Sequence, residues 1–373
     1  MNLIEITEGK AKLLVPDPKA YEKDGKFDPA WLPVFYNPKM VFNRDVSVII
    51  TSLLKVKECA EPLAASGVRG IRYQLEAGVE SLFLNDINPL AVSLMNQNSR
   101  KNHINAVITN GDASSVLYSI TAQLVDLDPF GSPVPFLIPS LNAIRNNGYL
   151  AVTATDLSPL MGSAPNACKR KYIGENQKLS FNKEAGVRIL IYKIIQEAAS
   201  LDLAARPIFA FFRDHYFRVI LNIKRGAKLA DSLLDNVGFY IECSVCGFAV
   251  VEKNRIGSCP RCNGKTIIAG PLWLGSLWEN SIIEQFYANL GSFQYLYTFN
   301  RVKKFMQMIL QEMPYQTTHY WNLTSLASKR KVNLPKMEKF IECLGKASRT
   351  HFDELGFKTS KSFDEILECI KTS

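Results

Sequence analysis

Four of the eight cysteines stand as Cys243-x2-Cys246-x12-Cys259-x2-Cys262. Four thiolates at that spacing suit a tetrahedral Zn2+ with no open position, so a structural metal site is expected. Glycines close behind each pair, in CG and CNG, permit the tight turns that such ligands need. A redox dithiol or free buried cysteines are the competing reading. A second chemistry is suggested by residues 126–133, DLDPFGSP. There an apolar run carries Asp126 and Asp128. Pro129, which cannot donate to a ladder, ends it and leaves Asp128 and Phe130 at a strand edge.

Upstream, other apolar runs end in residues of equal interest. LAASGVRG closes the first with Gly67 and Gly70, which allow a tight turn and close backbone approach to a ligand. The first glycine of G-x-G-x-x-G is missing, so a dinucleotide pyrophosphate fits poorly. LND puts Asp86 19 residues after Gly67, where a carboxylate accepts both hydroxyls of a ribose. NGDA follows with Asp112, a possible acceptor for an adenine amino group, and Ala113, whose amide would reach a ring nitrogen. Each aspartate alone is equally well an N-cap for the next helix. Together they describe an adenosine without pyrophosphate, and S-adenosylmethionine fits that description. Arg44 and Arg69 are spare cations for its carboxylate, or else surface charges.

Set beside a methyl donor, DPF resembles the (Asp/Asn)-Pro-Pro-aromatic signature of methyltransferases that modify exocyclic amines. An aryl amine is a poor nucleophile because its lone pair is delocalised into the ring. A carboxylate and a backbone carbonyl that accept both N–H bonds direct that lone pair at the methyl group. Asp128 then takes the proton as the nitrogen becomes positive. Pro129 keeps the turn rigid, and Phe130 offers a face on which a base stacks. The competing reading is an Asp-Pro turn with a core phenylalanine. Asp126 shares the face of Asp128 in a strand and is either a partner that supports it or a metal-free structural carboxylate.

These residues need a scaffold that brings successive strand ends together. Apolar runs at VKECAEPL, SLFLND, NAVITNGDA, AQLVDLD and YLAVTATD alternate with helical stretches long enough for crossovers. That pattern predicts an α/β fold, a mainly parallel doubly wound sheet. Before it, LIEITEGKAKLLVP reads as a hairpin around Gly9, residues 16–38 as a functional loop, and 39–55 as a helix. After it come a helix near 184–200 and two closing strands that turn at Asp214-His215. The cysteine region reads as a zinc ribbon and residues 280–373 as mostly helical. The expected domains are 1–235, 236–270 and 271–373.

Lys and Arg outnumber Asp and Glu by 44 to 35, a net charge of +9 that suits a polyanionic partner without proving one. The basic runs CKRKY (168–172) and ASKRKVN (327–333) are candidate phosphate contacts, as are Lys253, Arg255 and Arg261 of the ribbon. No stretch is apolar enough to span a bilayer, and the N-terminus does not read as a signal peptide. A cytoplasmic, monomeric protein is expected, with Cys59, Cys168, Cys343 and Cys369 scattered and reduced.

The full stretch DLDPFGSP closely resembles the tRNA guanine-26 N2,N2-dimethyltransferase family. EITEGKAKLLVP, VFYNPKMVFNRD, ASGVRGIRY, LNDINP, VTATDLSPLMG and RDHYFR agree with it, across most of residues 1–275. The resemblance implies a class I (Rossmann-like) methyltransferase domain, S-adenosylmethionine as donor, and one or two methyl groups placed on the amino nitrogen of a tRNA guanine. It implies Arg44, Arg69, Asp86, Asp112 and Ala113 as cofactor-binding residues and Asp128 as catalytic. It also implies that Phe35 and Phe130 hold the flipped guanine between them. Two other readings compete: an amino-methyltransferase for DNA adenine or protein glutamine, and a zinc-ribbon RNA-binding protein with an inactive methyltransferase-like domain.

Overall fold

The structure, a computed structural model, describes residues 1–316 and 319–372. The chain forms two compact units that interleave in sequence. The first comprises Met1–Thr153, Asn222–Lys224 and Glu284–Met306; the second comprises Ala154–Leu221, Arg225–Ile283 and the chain from Gln307 onward.

The first unit opens with the expected hairpin, β1 (Leu3–Glu8) and β2 (Ala11–Pro16), in antiparallel register from Leu3↔Pro16 to Glu8↔Ala11. Next come α1 (Val41–Leu54), β3 (Glu58–Glu61), α2 (Val68–Glu76), β4 (Ser81–Asp86), α3 (Pro89–Lys101) and β5 (Ala106–Asn110). They are followed by α4 (Ala113–Leu117), β6 (Ala122–Leu127), α5 (Leu137–Ala143) and β7 (Ile144–Ala154). The five strands β3 to β7 lie in the order β5-β4-β3-β6-β7 with parallel pairings throughout. Strand order therefore reverses between β3 and β6, and ligands of such sheets bind beyond the strand ends at that switch point.

A two-stranded hairpin is marginal on its own. Here side-chain amides act as a third strand for it. Asn98 exchanges two bonds with the backbone of Leu14 (2.7 and 3.0 Å), and Asn102, just beyond α3, exchanges two with Lys12 (2.9 and 2.7 Å). The loop from 17 to 40 is built from three 3-10 turns, each opened by an Asp-Pro or Asn-Pro pair. Asp17, Asp28 and Asn37 accept the N–H two residues on, and the proline fills the first turn position.

The second unit contains α6 (Leu157–Leu160), α7 (Pro165–Tyr172), β8 (Glu175–Asn176), α8 (Asn182–Ala199) and the hairpin β9 (Leu203–Arg213) and β10 (Tyr216–Arg225). The hairpin turns at Asp214-His215 as expected, with Asp214 at φ 50°. The short stretch 222–224 of β10 belongs to the first unit. Then follow α9 (Ala227–Leu234), β11 (Val237–Cys243), β12 (Ala249–Glu252) and β13 (Thr266–Trp273), which with β8 form a sheet ordered β12-β11-β13-β8. The rest of the chain comprises α10 (Asn280–Asn289) and α11 (Phe299–Glu312), whose stretch Glu284–Met306 belongs to the first unit, and then β14 (Trp321–Asn322), α12 (Leu323–Arg330), α13 (Met337–Leu344), β15 (Ala347–Thr350), β16 (Asp353–Thr359) and α14 (Phe363–Thr372) of the second. Helices dominate there as read. A three-stranded antiparallel sheet, β14-β16-β15, joins them and had no periodic signal because two of its strands have four residues or fewer.

A buried ion network ties the second unit together. Glu184 of α8 pairs with Arg188 (2.9 Å) and with Lys358 (2.9 Å) of β16, which also reaches Glu312 (3.3 Å). Burial raises the pKa of Glu312, but His351 and Lys358 outweigh it and bring the carboxyl down to about 2. Cys343 and Cys369, read as scattered and reduced, form a disulfide between α13 and α14. Among the described residues no helix is long and apolar enough to cross a membrane.

Candidate active site and metal centre

The candidate residues of the first unit gather at the carboxyl ends of β3 to β6. Between β3 and α2 the chain turns through Ala65 (φ 49°) and Gly67 (φ 75°). A β-carbon on Gly70 would lie 2.8 Å from methyl carbons of both Leu82 and Leu84, so α2 packs directly onto β4. The tight turn aims the Ala65 N–H at Asp86 Oδ2 (2.8 Å), while Asn88 N–H donates to Oδ1 (2.9 Å). Each oxygen keeps acceptor capacity for a hydroxyl. Asp112 caps α4: its Oδ2 accepts the Ser115 N–H (2.9 Å) and hydroxyl (3.0 Å), bonds that hold its pKa below the usual carboxylate value. The Ser114 N–H adds to the same effect. Ala113 is buried at the first position of α4.

Sequence reasoning passed over Asn85, whose side chain staples two of these loops. Its Nδ2 donates to Pro62 O and Gly111 O (3.0 Å each), and its Oδ1 accepts from Thr109 (2.8 Å). It also passed over Glu61, the last residue of β3. The register that pairs Ala60 with Val125 brings Glu61 beside Asp126 at the next position. Burial first, then Asp126 and Asp128, push the Glu61 carboxyl well above its usual range, and among the described residues its buried Oε1 has no hydrogen-bond partner.

Both arginines already hold a carboxylate partner within the protein. Arg69, buried on α2, donates to Asn43 Oδ1 (2.9 Å) and Ser47 Oγ (3.1 Å), pairs through Nη2 with Asp128, and lies 3.8 Å from Asp126. Asp126 in turn accepts from the Tyr73 hydroxyl at 2.6 Å. The shared face of Asp126 and Asp128 is thus organised around one guanidinium. Arg44, on α1, is bound in two-pronged fashion by Glu8 (2.6 and 2.7 Å).

Beyond Asp128 the chain turns at Pro129 and exposes Phe130 to 78%. It is no core phenylalanine. Phe35 is 39% exposed between buried Val34 and Tyr36, which pack into separate apolar clusters, so the strand-like alternation of this stretch turns Phe35 outward. The two rings meet edge to face, with centroids 6.0 Å apart at 71°. A base stacked between parallel rings needs roughly 7 Å, twice the contact distance of about 3.5 Å, so one ring must turn to admit it.

In the second unit, Cys243, Cys246, Cys259 and Cys262 have ligand atoms within 4.8 Å of one another. Zn–S bonds of about 2.3 Å give a tetrahedral S···S edge of about 3.8 Å. The Cys243–Cys262 and Cys246–Cys259 separations are 3.5 and 3.8 Å, so the set fits Zn2+. The N–H groups of Cys246 and Arg261 point at Cys243 and Cys259 sulfur (3.4 Å each), as knuckle turns require. Gly247 takes the left-handed position of the first knuckle, but Asn263, not the expected Gly264, takes that of the second.

The basic runs look different in three dimensions. Lys329 turns inward to Glu242 (2.6 Å) and Cys243 O (3.1 Å), and Arg330 lies over the Phe363 ring. Lys253 donates to Asp235 O, Arg255 pairs with Glu175 (2.7 Å), and Arg261 pairs with Asp364. Lys171 pairs with Asp156 at 3.1 Å. Much of this charge holds protein to protein.

A family model described as N2,N2-dimethylguanosine tRNA methyltransferase matches residues 9–371. The chain is 50% identical over its whole length, and the relative's, to a tRNA (guanine(26)-N(2))-dimethyltransferase of Sulfurisphaera tokodaii. It is 47% identical, again with 100% of both chains covered, to one of Saccharolobus solfataricus. Trm1 from Pyrococcus horikoshii, solved with S-adenosyl-L-methionine, superposes with a TM-score of 0.88 at 34% identity, covering 99% of this chain and 100% of that one. The strand-end aspartates, the aromatic pair and the matched span agree: the chain belongs to the N2,N2-dimethylguanosine tRNA methyltransferase family.

Proposed function

We propose that this protein transfers one or two methyl groups from S-adenosylmethionine to the exocyclic N2 of guanine 26 in tRNA, with Asp128 orienting and deprotonating the amine. One observation carries the assignment of roles. Asp128 emerges beside the strand-order switch, gripped from behind by Arg69, with Phe130 and Phe35 facing each other in front of it.

S-adenosylmethionine supplies a sulfonium-bound methyl group open to in-line displacement. The residues present fit it. Asp86 has acceptor capacity for the ribose hydroxyls, Asp112 Oδ1 and the Ala113 amide suit adenine, and Arg44 suits the carboxylate. Gly67 lets the backbone pass close by. Arg69 fixes the direction of Asp128, and Pro129 holds the following turn. The guanine swings out of its stack at a cost of a few kcal/mol and is held by Phe35 and Phe130. Asp128 accepts an amine N–H, and much of the acceleration comes from that alignment. Once methylated, the N2 cation is a strong acid, so a carboxylate suffices to take its proton.

In this reading residues 1–235 carry the chemistry, the ribbon 236–270 holds a structural zinc, and 271–373 grips tRNA. A monomer suffices, because every residue given a catalytic or cofactor role lies in one unit of one chain; a tRNA substrate is in keeping with a cytoplasmic protein. The test is nucleoside mass spectrometry on an unmodified tRNA transcript with a guanine at position 26. N2-methylguanosine and N2,N2-dimethylguanosine are expected. Absence of both despite cofactor binding would overturn the substrate assignment.

A further inference from the structure

We propose that Glu8, at the tip of the N-terminal hairpin, is a positioning residue that sets both the cofactor arm and the base arm of the site from one carboxylate. The inference rests on the functional reading above.

Glu8 is 3% exposed and accepts four hydrogen bonds. Oε1 takes Arg44 Nε (2.6 Å) and Arg72 Nη1 (2.9 Å); Oε2 takes Arg44 Nη2 (2.7 Å) and the Tyr36 hydroxyl (3.1 Å). Four donors fill the acceptor capacity of a carboxylate. Burial opposes the charge, but the two guanidinium groups prevail and hold the group ionised, with a pKa of about 2.

Each contact has a geometric consequence. Binding along the Nε–Nη2 edge fixes the plane of the Arg44 guanidinium, and Nη1 makes none of these bonds. Arg44 is also seated over the Tyr36 ring at 5.3 Å. Tyr36, tied through its hydroxyl, fixes the backbone that turns its neighbour Phe35 outward. The pedestal beneath is stiff. Gly9 (φ 58°) comes so near Glu76 that a β-carbon would lie 2.3 Å from Oε1, and Lys10 N–H donates to the same oxygen (3.2 Å). Arg72 bonds Glu76 (2.8 Å) and Asp45 (2.7 Å) as well as Glu8. The hairpin, which contributes no strand to the parallel sheet, therefore supplies the fixed point from which Arg44 and Phe35 are aimed.

The experiment uses the full chain, with S-adenosylmethionine binding by calorimetry and steady-state methylation of a guanine-26 transcript, below the melting temperature of each variant. Glu8→Gln keeps an acceptor but removes the charge. It is expected to raise both the cofactor Kd and the transcript KM about tenfold, with kcat within about threefold. Tyr36→Phe frees only the base arm; it is expected to raise the transcript KM about threefold or more and leave the cofactor Kd unchanged. A folded Glu8→Gln protein with wild-type Kd and KM would overturn the proposal. If Glu8→Gln does not fold, an unchanged KM in Tyr36→Phe overturns it. Arg44→Ala separates this from the underlying reading: if the cofactor Kd does not move there, Arg44 is no cofactor ligand, and the cofactor half of the proposal falls with that assignment.

Discussion

Replacing Asp128 by Asn changes charge at nearly constant shape, so its two consequences can be read apart. The first is chemical. Asn accepts an N–H bond but does not take the proton, and losing a positioned base costs about 10²–10⁴ in rate. The second is structural. Breaking a fully buried ion pair costs about 3–5 kcal/mol because a bare charge is left behind. Here Arg69 keeps Asn43, Ser47 and the more distant Asp126, and the Asp128 side chain is 29% exposed, so roughly 1–3 kcal/mol is expected instead. Single-turnover methylation of the transcript, read by nucleoside mass spectrometry at saturating cofactor, measures the first; thermal unfolding followed by circular dichroism measures the second. A variant that methylates within tenfold of wild type would remove Asp128 as the base. A variant as stable as wild type would show that Arg69 gains little from the pair.

Phe130→Ala and Phe35→Ala should each lose about 1–3 kcal/mol of base stacking, seen as a fall in kcat/KM for the transcript with cofactor affinity intact; an unchanged kcat/KM in both would discard the sandwich. Metal analysis should find one zinc per chain. Cys259→Ser should lower both zinc content and melting temperature, and a fully folded protein without zinc would refute a structural role for the cluster. Acid should destabilise the second unit in two stages. Burial foremost, with Lys358 and Arg188 adding to it, lowers the His319 pKa from 6.5 to about 3. Its unfolded form therefore gains a proton first, and stability falls as pH drops from about 6.5 to about 3. Glu312, lowered from 4.5 to about 2, adds stability above 4.5 that is lost as pH falls through 2. His319→Phe should flatten the slope between pH 6.5 and 4.5; an unaltered slope would contradict the His319 assignment.

The parallel sheet was legible because strands of four to eleven residues alternate with crossover helices, and each strand ends near a residue that punctuates the chain. Phe130 followed from Pro129, which stops β6 and leaves the next side chain beyond the sheet. Phe35 came only through family resemblance, although Val34 and Tyr36 flank it in the in-out alternation that would have exposed it. The charge network was not legible at all. Arg69 and Asp128 stand 59 residues apart, and Arg72 and Glu8 stand 64 apart, with no period linking them. For the same reason Lys329 read as a phosphate contact: composition does not reveal that Glu242, 87 residues earlier, lies beside it.

The interleaving of the two units has a bearing on the order of synthesis. Asp45 of α1 accepts the backbone N–H of Thr298 (3.2 Å), a partner 253 residues later, and Phe42 packs on Phe305 with ring centroids 5.4 Å apart. The Tyr295 hydroxyl likewise reaches Glu76 at 3.0 Å. At about 5–20 residues per second, a ribosome takes roughly 10–50 s to add that length. Strands β3 to β7 are complete once Ala154 is made, and for the rest of that interval the nascent sheet lacks the segment that closes α1. The ribbon and its cysteines emerge before the methyltransferase core is whole. The last piece of the first unit is thus among the later parts made, and a chain stalled before residue 298 leaves Asp45 without the Thr298 bonds.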